Sequence, residues 1–223
     1  MGRLLAIYSA PWRLGAEYTL FQTPHFDLHD FDIQSHTGRL FASLDLNWGT
    51  LRAEADYAYV LLDNVSFSET VRVQPALSLQ ETKNLYAVLS VQYYKGNFFH
   101  QFIPTGQEAV RDRDGWVVQA GFDQYLLLNR RDTSLRLSYH YEVSRNHGTD
   151  WEYNGHYVAL GLRTPLWWDI SLETDVGYTR RDYRHINSFD ASPLAVLTPD
   201  DRRARLDNRV VESLILSRPV GPY

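Results

Sequence analysis

The sequence predicts an all-β protein, an antiparallel up-and-down transmembrane β-barrel of about 10–12 strands, either complete or part of a larger barrel. Three observations favour this fold: apolar and polar residues alternate with a period of two, the alternating segments are long, and short and long links alternate between them. Successive side chains of a strand point to opposite faces, so the alternation predicts strands with one apolar face. We expect residues 1–223 to form a single outer-membrane barrel domain.

The alternation recurs along nearly the whole chain. From Leu51 to Leu61 the odd positions are Leu, Ala or Tyr, whereas the even positions include Arg52, Glu54 and Asp56. Such segments run for about 10–14 residues, against about 5–6 for strands of soluble proteins and about 9–11 for a tilted bilayer crossing. They predict about ten strands from Trp12 onward, and no stretch longer than two turns shows a helical period.

The links between these segments alternate in length, as in outer-membrane barrels with short periplasmic turns and long outer loops. A medium link is predicted around Asp63–Val65. The other predicted links are short at Trp48–Thr50, Glu81–Asn84, Asn129–Asp132 and Thr164–Trp167, and long at Gly96–Arg113, Arg145–Asn154 and Asp182–Arg205.

The segment Arg3–Ser9 has two interpretations. If it is a strand, the count is odd, about eleven, and at least one upstream strand is expected, because single-chain bacterial barrels have even counts. If it is a periplasmic lead-in, ten strands close by themselves. We favour the first interpretation, because the apolar stretch after Met1 is too short for the signal peptide that an exported protein requires.

The composition excludes several classes of function. The chain has no cysteine, which excludes disulfides, thiolate metal sites, c-type haem attachment and cysteine nucleophiles. The net charge is −5, and basic residues sit beside acidic ones, as in Arg111–Asp114, so no nucleic-acid partner is expected. The 15 Tyr, 10 Phe and 6 Trp suit strands and membrane–water boundaries.

The polar face of the predicted strands carries charges of both signs and is expected to line the lumen. In a narrow barrel such charges form a network that plugs the bore, whereas in a wider one they line a water-filled path. The predicted lumen-lining residues are Arg13, Glu17, Arg52, Glu54, Asp56, Arg72, Asp123, Arg136, His140, Glu142, Arg163, Glu173 and Asp175.

Aromatic residues near the strand ends predict two girdles at the membrane interfaces. The tryptophans of the first group lie at or next to strand ends, and the tyrosines of the second lie toward the other ends. The first group is Trp12, Trp48, Trp116, Trp167 and Trp168; the second is Tyr57, Tyr59, Tyr93, Tyr139, Tyr141 and Tyr178.

The sequence contains three candidate chemical sites. His25, His29 and His36 share a predicted loop with three aspartates, and solvated loop polarity is favoured over a metal site. His140 beside Glu142 lacks a nucleophile, so a hydrogen-bond network in the lumen is favoured over a catalytic base.

The third candidate is Asp112–Gly115, which is only faintly similar to a calcium loop, because arginines flank the aspartates and the downstream glutamate is missing. The sequence therefore predicts no catalysis, no metal and no cofactor.

Four pieces of the chain resemble a known family: Phe26–Gly38, Tyr153–His156, Gly177–Tyr183 and Leu214–Pro219. They are similar to barrel domains that follow tetratricopeptide repeats, namely the surface lipoprotein assembly modifiers and, more distantly, exopolysaccharide export barrels. The resemblance implies a periplasmic helical-repeat domain upstream, a translocation pore and no catalytic residues. The 223 residues themselves show no 34-residue helical period.

The predicted function is therefore a transport or secretion pore in the outer membrane of a Gram-negative-type bacterium. Its partners would be the lipid bilayer and a periplasmic or surface protein. Two alternatives remain: a structural scaffold barrel with a plugged lumen that binds a partner protein, and a soluble lipocalin-like barrel that binds an apolar ligand. A barrel that sheathes a cytochrome from another chain is a more distant alternative.

Overall fold

The computed structural model describes residues 2–9, 11–23, 32–99, 106–128, 132–168, 170–185 and 204–218. These residues form one sheet of eleven strands in sequence order, and every neighbouring pair is antiparallel. The prediction of an all-β, antiparallel up-and-down fold is confirmed. The strands are β1 (Gly2–Ser9), β2 (Trp12–Thr23), β3 (Ile33–Leu46), β4 (Gly49–Leu62), β5 (Val65–Gln80), β6 (Leu85–Phe98), β7 (Gly115–Leu128), β8 (Thr133–Asn146), β9 (Tyr153–Pro165), β10 (Ser171–Tyr183) and β11 (Leu206–Ser217).

The sheet is open in the described part of the chain, where β1 and β11 are its two edges. Eleven strands fall within the predicted number, and Gly2–Ser9 is a strand, as the first interpretation of the N-terminal segment required. Closure into a barrel is not observed. Within the described ranges, the helical segments are one short helix, α1 (Glu108–Arg111), and a 3-10 turn at Thr149–Trp151.

The two faces of the sheet differ in chemistry and in exposure. Apolar side chains lie on the more exposed face; Leu40 and Leu160, for example, expose 64% and 63% of their surface. Among the described residues, the buried hydrophobic side chains are limited to Ala87 and Ala159. The polar face is the more covered one, as expected of a sheet that curls toward it. The described residues therefore have no apolar core of the kind a soluble domain builds.

Two details of the predicted links are wrong. Asp63 and Asn64 form a two-residue turn with φ of 50° and 59°, the left-handed conformation of a type I′ hairpin, so this link is as short as the turn at Asn47–Trp48. Strand β3 begins at Ile33, so His36 belongs to a strand and not to a loop. His25 and His29 lie outside the described residues.

The helices of the described residues do not cross a membrane: none is both long enough and apolar enough to do so.

Candidate functional site

The polar face, which is the candidate lumen surface, carries every residue predicted to line the lumen. The register explains this placement: Asp56 lies opposite Arg39 on β3 and Arg72 on β5, so charged residues of one parity meet across neighbouring strands. The same parity continues through the register to Asp175 on β10 and Ser213 on β11. The sheet thus has one continuous polar surface.

A first charged cluster lies on β2 to β5 and centres on Asp56. Its carboxylate accepts hydrogen bonds from Nε of Arg39 at 2.8 Å and Nε of Arg72 at 2.5 Å. Glu17 lies 3.9 Å from the same Arg39. Since the Asp56 side chain is only 10% exposed, it is the most enclosed charge of the cluster. One carboxylate therefore ties three strands together.

Two further ion pairs extend this cluster toward the short links. Arg13 donates to Asp45 at 2.5 Å, and the Thr50 hydroxyl donates to the same carboxylate at 3.0 Å. Arg52 pairs with Glu54 on its own strand at 3.0 Å, with its side chain 58% exposed. Exposed pairs of the second kind contribute little to stability.

A second charged cluster lies on β7 to β10. Asp123 accepts a hydrogen bond from the Ser138 hydroxyl and lies 3.3 Å from Nε2 of His140. Arg136 pairs with Asp175 two strands away. Because the serine and the histidine both contact the aspartate, the serine hydroxyl is not paired with a base, and the arrangement is a structural network rather than a catalytic triad.

Glu142 belongs to a third set of contacts and does not orient His140. It accepts a hydrogen bond from Nε of Arg181 at 2.7 Å, and the Arg181 guanidinium lies 4.7 Å from the centre of the Tyr153 ring. In the sequence, His140 and Glu142 lie two residues apart on one face and are a candidate base and its orienting carboxylate. The structure gives each of them a different partner.

Between the two charged clusters, the polar face of β6 carries no charge. Its side chains are Tyr86, Val88, Ser90, Gln92 and Tyr94, and the Tyr86 ring stacks on Tyr125 of β7 with centroids 4.4 Å apart. The polar face therefore has two charged clusters, separated by an uncharged strip on β6.

Five charged residues of this face are absent from the predicted set: Arg39, Asp45, Arg181, Asp207 and Arg209. Arg39 precedes the point at which the alternation was recognised, and Arg181 was assigned to a loop-end motif. Extending the parity of Phe41 backward by one strand position would have identified Arg39.

The exposed apolar face, which is the candidate lipid-facing surface, ends in a row of tyrosines toward the long links. Their hydroxyls have polar partners on the same face: Tyr18 with His36 at 2.5 Å and Tyr139 with His156 at 2.9 Å. Tyr178 likewise donates to Asn208 at 2.6 Å. An apolar ring with a solvated hydroxyl suits a membrane–water boundary.

The predicted aromatic groups fall at the two ends of the sheet with two exceptions, Trp116 and Tyr139. Trp12, Trp48, Trp167 and Trp168 lie at the short links, whereas Trp116 is the second residue of β7 and lies beside a long link. Tyr139 is the seventh of the fourteen residues of β8 and lies at mid-strand. The other predicted tyrosines lie in the half of their strands nearer the end of the sheet that carries the long links: Tyr57, Tyr59, Tyr93, Tyr141 and Tyr178.

The long links 106–114 and 147–152 pack against each other at the ends of β7 and β8. Trp151 donates from Nε1 to the Arg111 carbonyl at 2.9 Å, and the amide of Gly148 donates to the Asp112 carbonyl at 2.8 Å. Ligand atoms of Asp112, Asp114 and His147 lie within 4.8 Å of one another. The two carboxylates accept backbone amide hydrogen bonds, from Asp114 and Phe98 respectively, so they order the loop.

Comparison with protein-family models, curated proteins and solved structures gave no match to this chain. The predicted relationship to barrels that follow tetratricopeptide repeats therefore stays a prediction.

Proposed function

We propose that the chain is an outer-membrane β-barrel domain of a Gram-negative-type bacterium that acts as a transport or secretion pore, with a charged lumen and no catalytic activity. The observation that carries this proposal is the continuous exposed apolar face. Leu14, Leu51, Leu89, Leu137 and Leu160, on five different strands, all expose more than 40% of their surface.

Water is a poor solvent for such a face. Burying a Leu or Val side chain is worth about 1.5–3 kcal/mol, and monomeric soluble proteins rarely expose large contiguous apolar patches. Lipid tails would cover this face without any apolar core in the protein. The strands are also long enough, since β2 to β11 have 12–16 residues each.

The polar face supports a wet lumen in the same proposal. A lipocalin-like protein that binds an apolar ligand needs apolar side chains inside its barrel. Here the covered face carries ion pairs such as Arg39–Asp56 and Arg136–Asp175. These pairs disfavour an apolar ligand and favour water on this side.

A structural scaffold with a plugged lumen is the second candidate. It is favoured by the pairing of the charges, because a fully paired network such as that around Asp56 stabilises the wall and offers few free charges to a passing substrate. In this version the barrel binds a periplasmic or surface protein partner.

Planar-bilayer conductance separates these candidates. The full chain, refolded from denaturant in detergent, is added to a bilayer after its insertion into vesicles has been shown by protease protection. Unitary conductance steps would support the pore, and insertion without steps would support the plugged scaffold. A chain that stays monodisperse in detergent-free buffer and does not insert would contradict both.

A further inference from the structure

Two cations and a tryptophan form a row on the apolar face, at the end of the sheet that carries the long links. Lys95 of β6 lies opposite Trp116 of β7, and Trp116 lies opposite Arg145 of β8. Lys95 and Trp116 are exposed, and Arg145 is half-buried. Since neighbouring strands lie about 4.8 Å apart, the Cα atoms of the two cations are about 10 Å apart, with the indole between them. We call these three residues the cationic row.

The cationic row lies where the apolar surface of its strands ends. On this face, β6 from Leu85 to Tyr93 and β8 from Leu135 to Val143 carry aliphatic or tyrosine side chains, and the cations come next. At about 3.4 Å per residue and a tilt of about 40°, each stretch is about 21 Å tall, close to the apolar band of about 25 Å on membrane barrels. In the proposed membrane, the cationic row therefore lies at the level of the lipid headgroups.

Neither cation of the row is neutralised by an ion pair within the described ranges. The arginines at the centres of the two charged clusters, Arg39 and Arg136, contact carboxylates, whereas no described carboxylate lies within ion-pair distance of Lys95 or Arg145. Arg145 donates from Nη1 to the Ser144 carbonyl at 2.6 Å, which uses one of its five N–H donors. Both charges are therefore available to an external anion.

Two acidic residues near the cationic row already have other partners. Glu69 of β5 lies opposite Asn97, and its two carboxylate oxygens accept hydrogen bonds from Asn97 Nδ2 at 2.8 Å and from the Tyr57 hydroxyl at 3.0 Å. Glu152, between β8 and β9, lies 3.2 Å from Nε2 of His185. These contacts hold both carboxylates away from the cations of the row.

We propose that the cationic row binds the headgroup of a bisphosphorylated glycolipid in the leaflet on the side of the long links. Lys95 and Arg145 each bind one phosphate, because phosphate forms strong charge-assisted hydrogen bonds with both side chains. The Trp116 indole packs against the sugar between the phosphates, and its amphipathic ring suits this boundary. A lipid with a single phosphate would occupy only one of two cations that lie about 10 Å apart. This inference rests on the proposed membrane location.

The test measures lipid affinity in the refolded full chain. Native mass spectrometry in detergent gives relative dissociation constants for three probes: bisphosphorylated lipid A, its monophosphorylated form and phosphatidylglycerol. We expect lipid A to bind most tightly. The double variant Lys95→Gln/Arg145→Gln should bind lipid A at least about tenfold more weakly. Unchanged affinity of this variant for lipid A would overturn the proposal.

Arg180→Gln is the matched control. Arg180 lies on the same face toward the long links, but its guanidinium already pairs with both oxygens of Asp182 at 3.0–3.2 Å. Its substitution should leave lipid A binding unchanged, and a loss equal to that of the double variant would overturn the assignment to the cationic row. Lys95→Arg and Arg145→Lys keep the charges and should retain binding, which separates loss of charge from misfolding.

The probes also test whether the site takes two phosphates. With monophosphorylated lipid A, one of the two single variants Lys95→Gln and Arg145→Gln should bind as the unchanged chain does. Trp116→Leu should weaken both glycolipids several-fold and leave phosphatidylglycerol unchanged. If phosphatidylglycerol bound as tightly as lipid A and depended equally on both cations, the row would be a single-phosphate site and the proposal would be wrong.

Protease protection in vesicles is measured in parallel for every variant. A chain that inserts but binds lipid A equally with and without the two cations would overturn this inference and leave the proposed membrane location intact. Charge-dependent binding of lipid A by a chain that does not insert would overturn the membrane location and leave the phosphate site intact.

Discussion

The two faces of β6 carry opposite chemistry in opposite surroundings. Leu89 and Val91 expose 44% and 48% of their surface, whereas the polar residues Ser90 and Gln92 between them are half-buried. A soluble sheet would reverse this order, because its apolar side chains pack inward. The difference supports the proposal that an apolar medium lies against one face of these strands and water against the other.

The faces also differ in how their polar groups are joined. On the polar face, ion pairs link neighbouring strands along the middle of the sheet, as at Asp56 and Asp175. On the apolar face, hydrogen bonds such as Tyr139–His156 lie toward the long links. The ion pairs on the polar face join neighbouring strands. The hydrogen bonds on the apolar face lie where its apolar surface ends.

The largest expected effect comes from moving a charge between the faces. Leu89→Arg should destabilise the membrane-inserted state by about 2–4 kcal/mol, because it places a cation among lipid tails. Ser90→Arg, one residue further, should cost much less, since its side chain points to the polar face. Folding into vesicles across a urea titration measures both, and equal tolerance would overturn the assignment of the faces.

A smaller effect is expected within the polar face. Asp56→Asn removes the charge that joins Arg39 and Arg72, and should cost about 1–3 kcal/mol. Arg52→Gln is the matched control, because its pair with Glu54 is exposed and should be worth about 0–1 kcal/mol. The same urea titration compares them. A larger loss in the control would show that Asp56 does not hold the strands together.

The smallest effect is expected at the border of the apolar face. Tyr139→Phe keeps the ring and removes the hydroxyl that contacts His156, so it should cost about 0.5–1.5 kcal/mol. Phe122→Tyr, on the same face of the neighbouring strand, is the converse change and serves as a control. If Tyr139→Phe were strongly stabilising, its hydroxyl would lie in hydrocarbon rather than at a wet boundary.

The sequence predicts the faces of the sheet better than its ends. Alternation in segments such as Leu51–Leu61 is a local property of the chain, so the strands and the shared face of Arg52 and Asp175 follow from parity alone. The turn at Asp63–Asn64 was missed because it contains no glycine, although Asn and Asp tolerate its left-handed backbone.

The alternation of residues along a strand does not predict which side chains pair across strands, nor whether the sheet closes. That Glu142 pairs with Arg181 rather than helping His140 depends on the register of strands far apart in sequence. Trp116 was grouped with the other tryptophans because a strand end by itself does not show which side of the sheet it faces. Closure depends on what covers β11, which no local pattern encodes.

Single-cysteine scanning along β6 tests the central claim most directly. Cysteines at 89, 90, 91 and 92 are introduced one at a time into the cysteine-free chain and reconstituted in vesicles. A fluorophore attached at 89 or 91 should be quenched by brominated lipid. In a separate sample, the unlabelled thiol at 89 or 91 should be protected from a water-soluble thiol reagent. Both results should be reversed at 90 and 92. Reversed or absent alternation, or a chain that folds in lipid-free buffer with 89 and 91 shielded, would contradict a lipid-facing apolar surface.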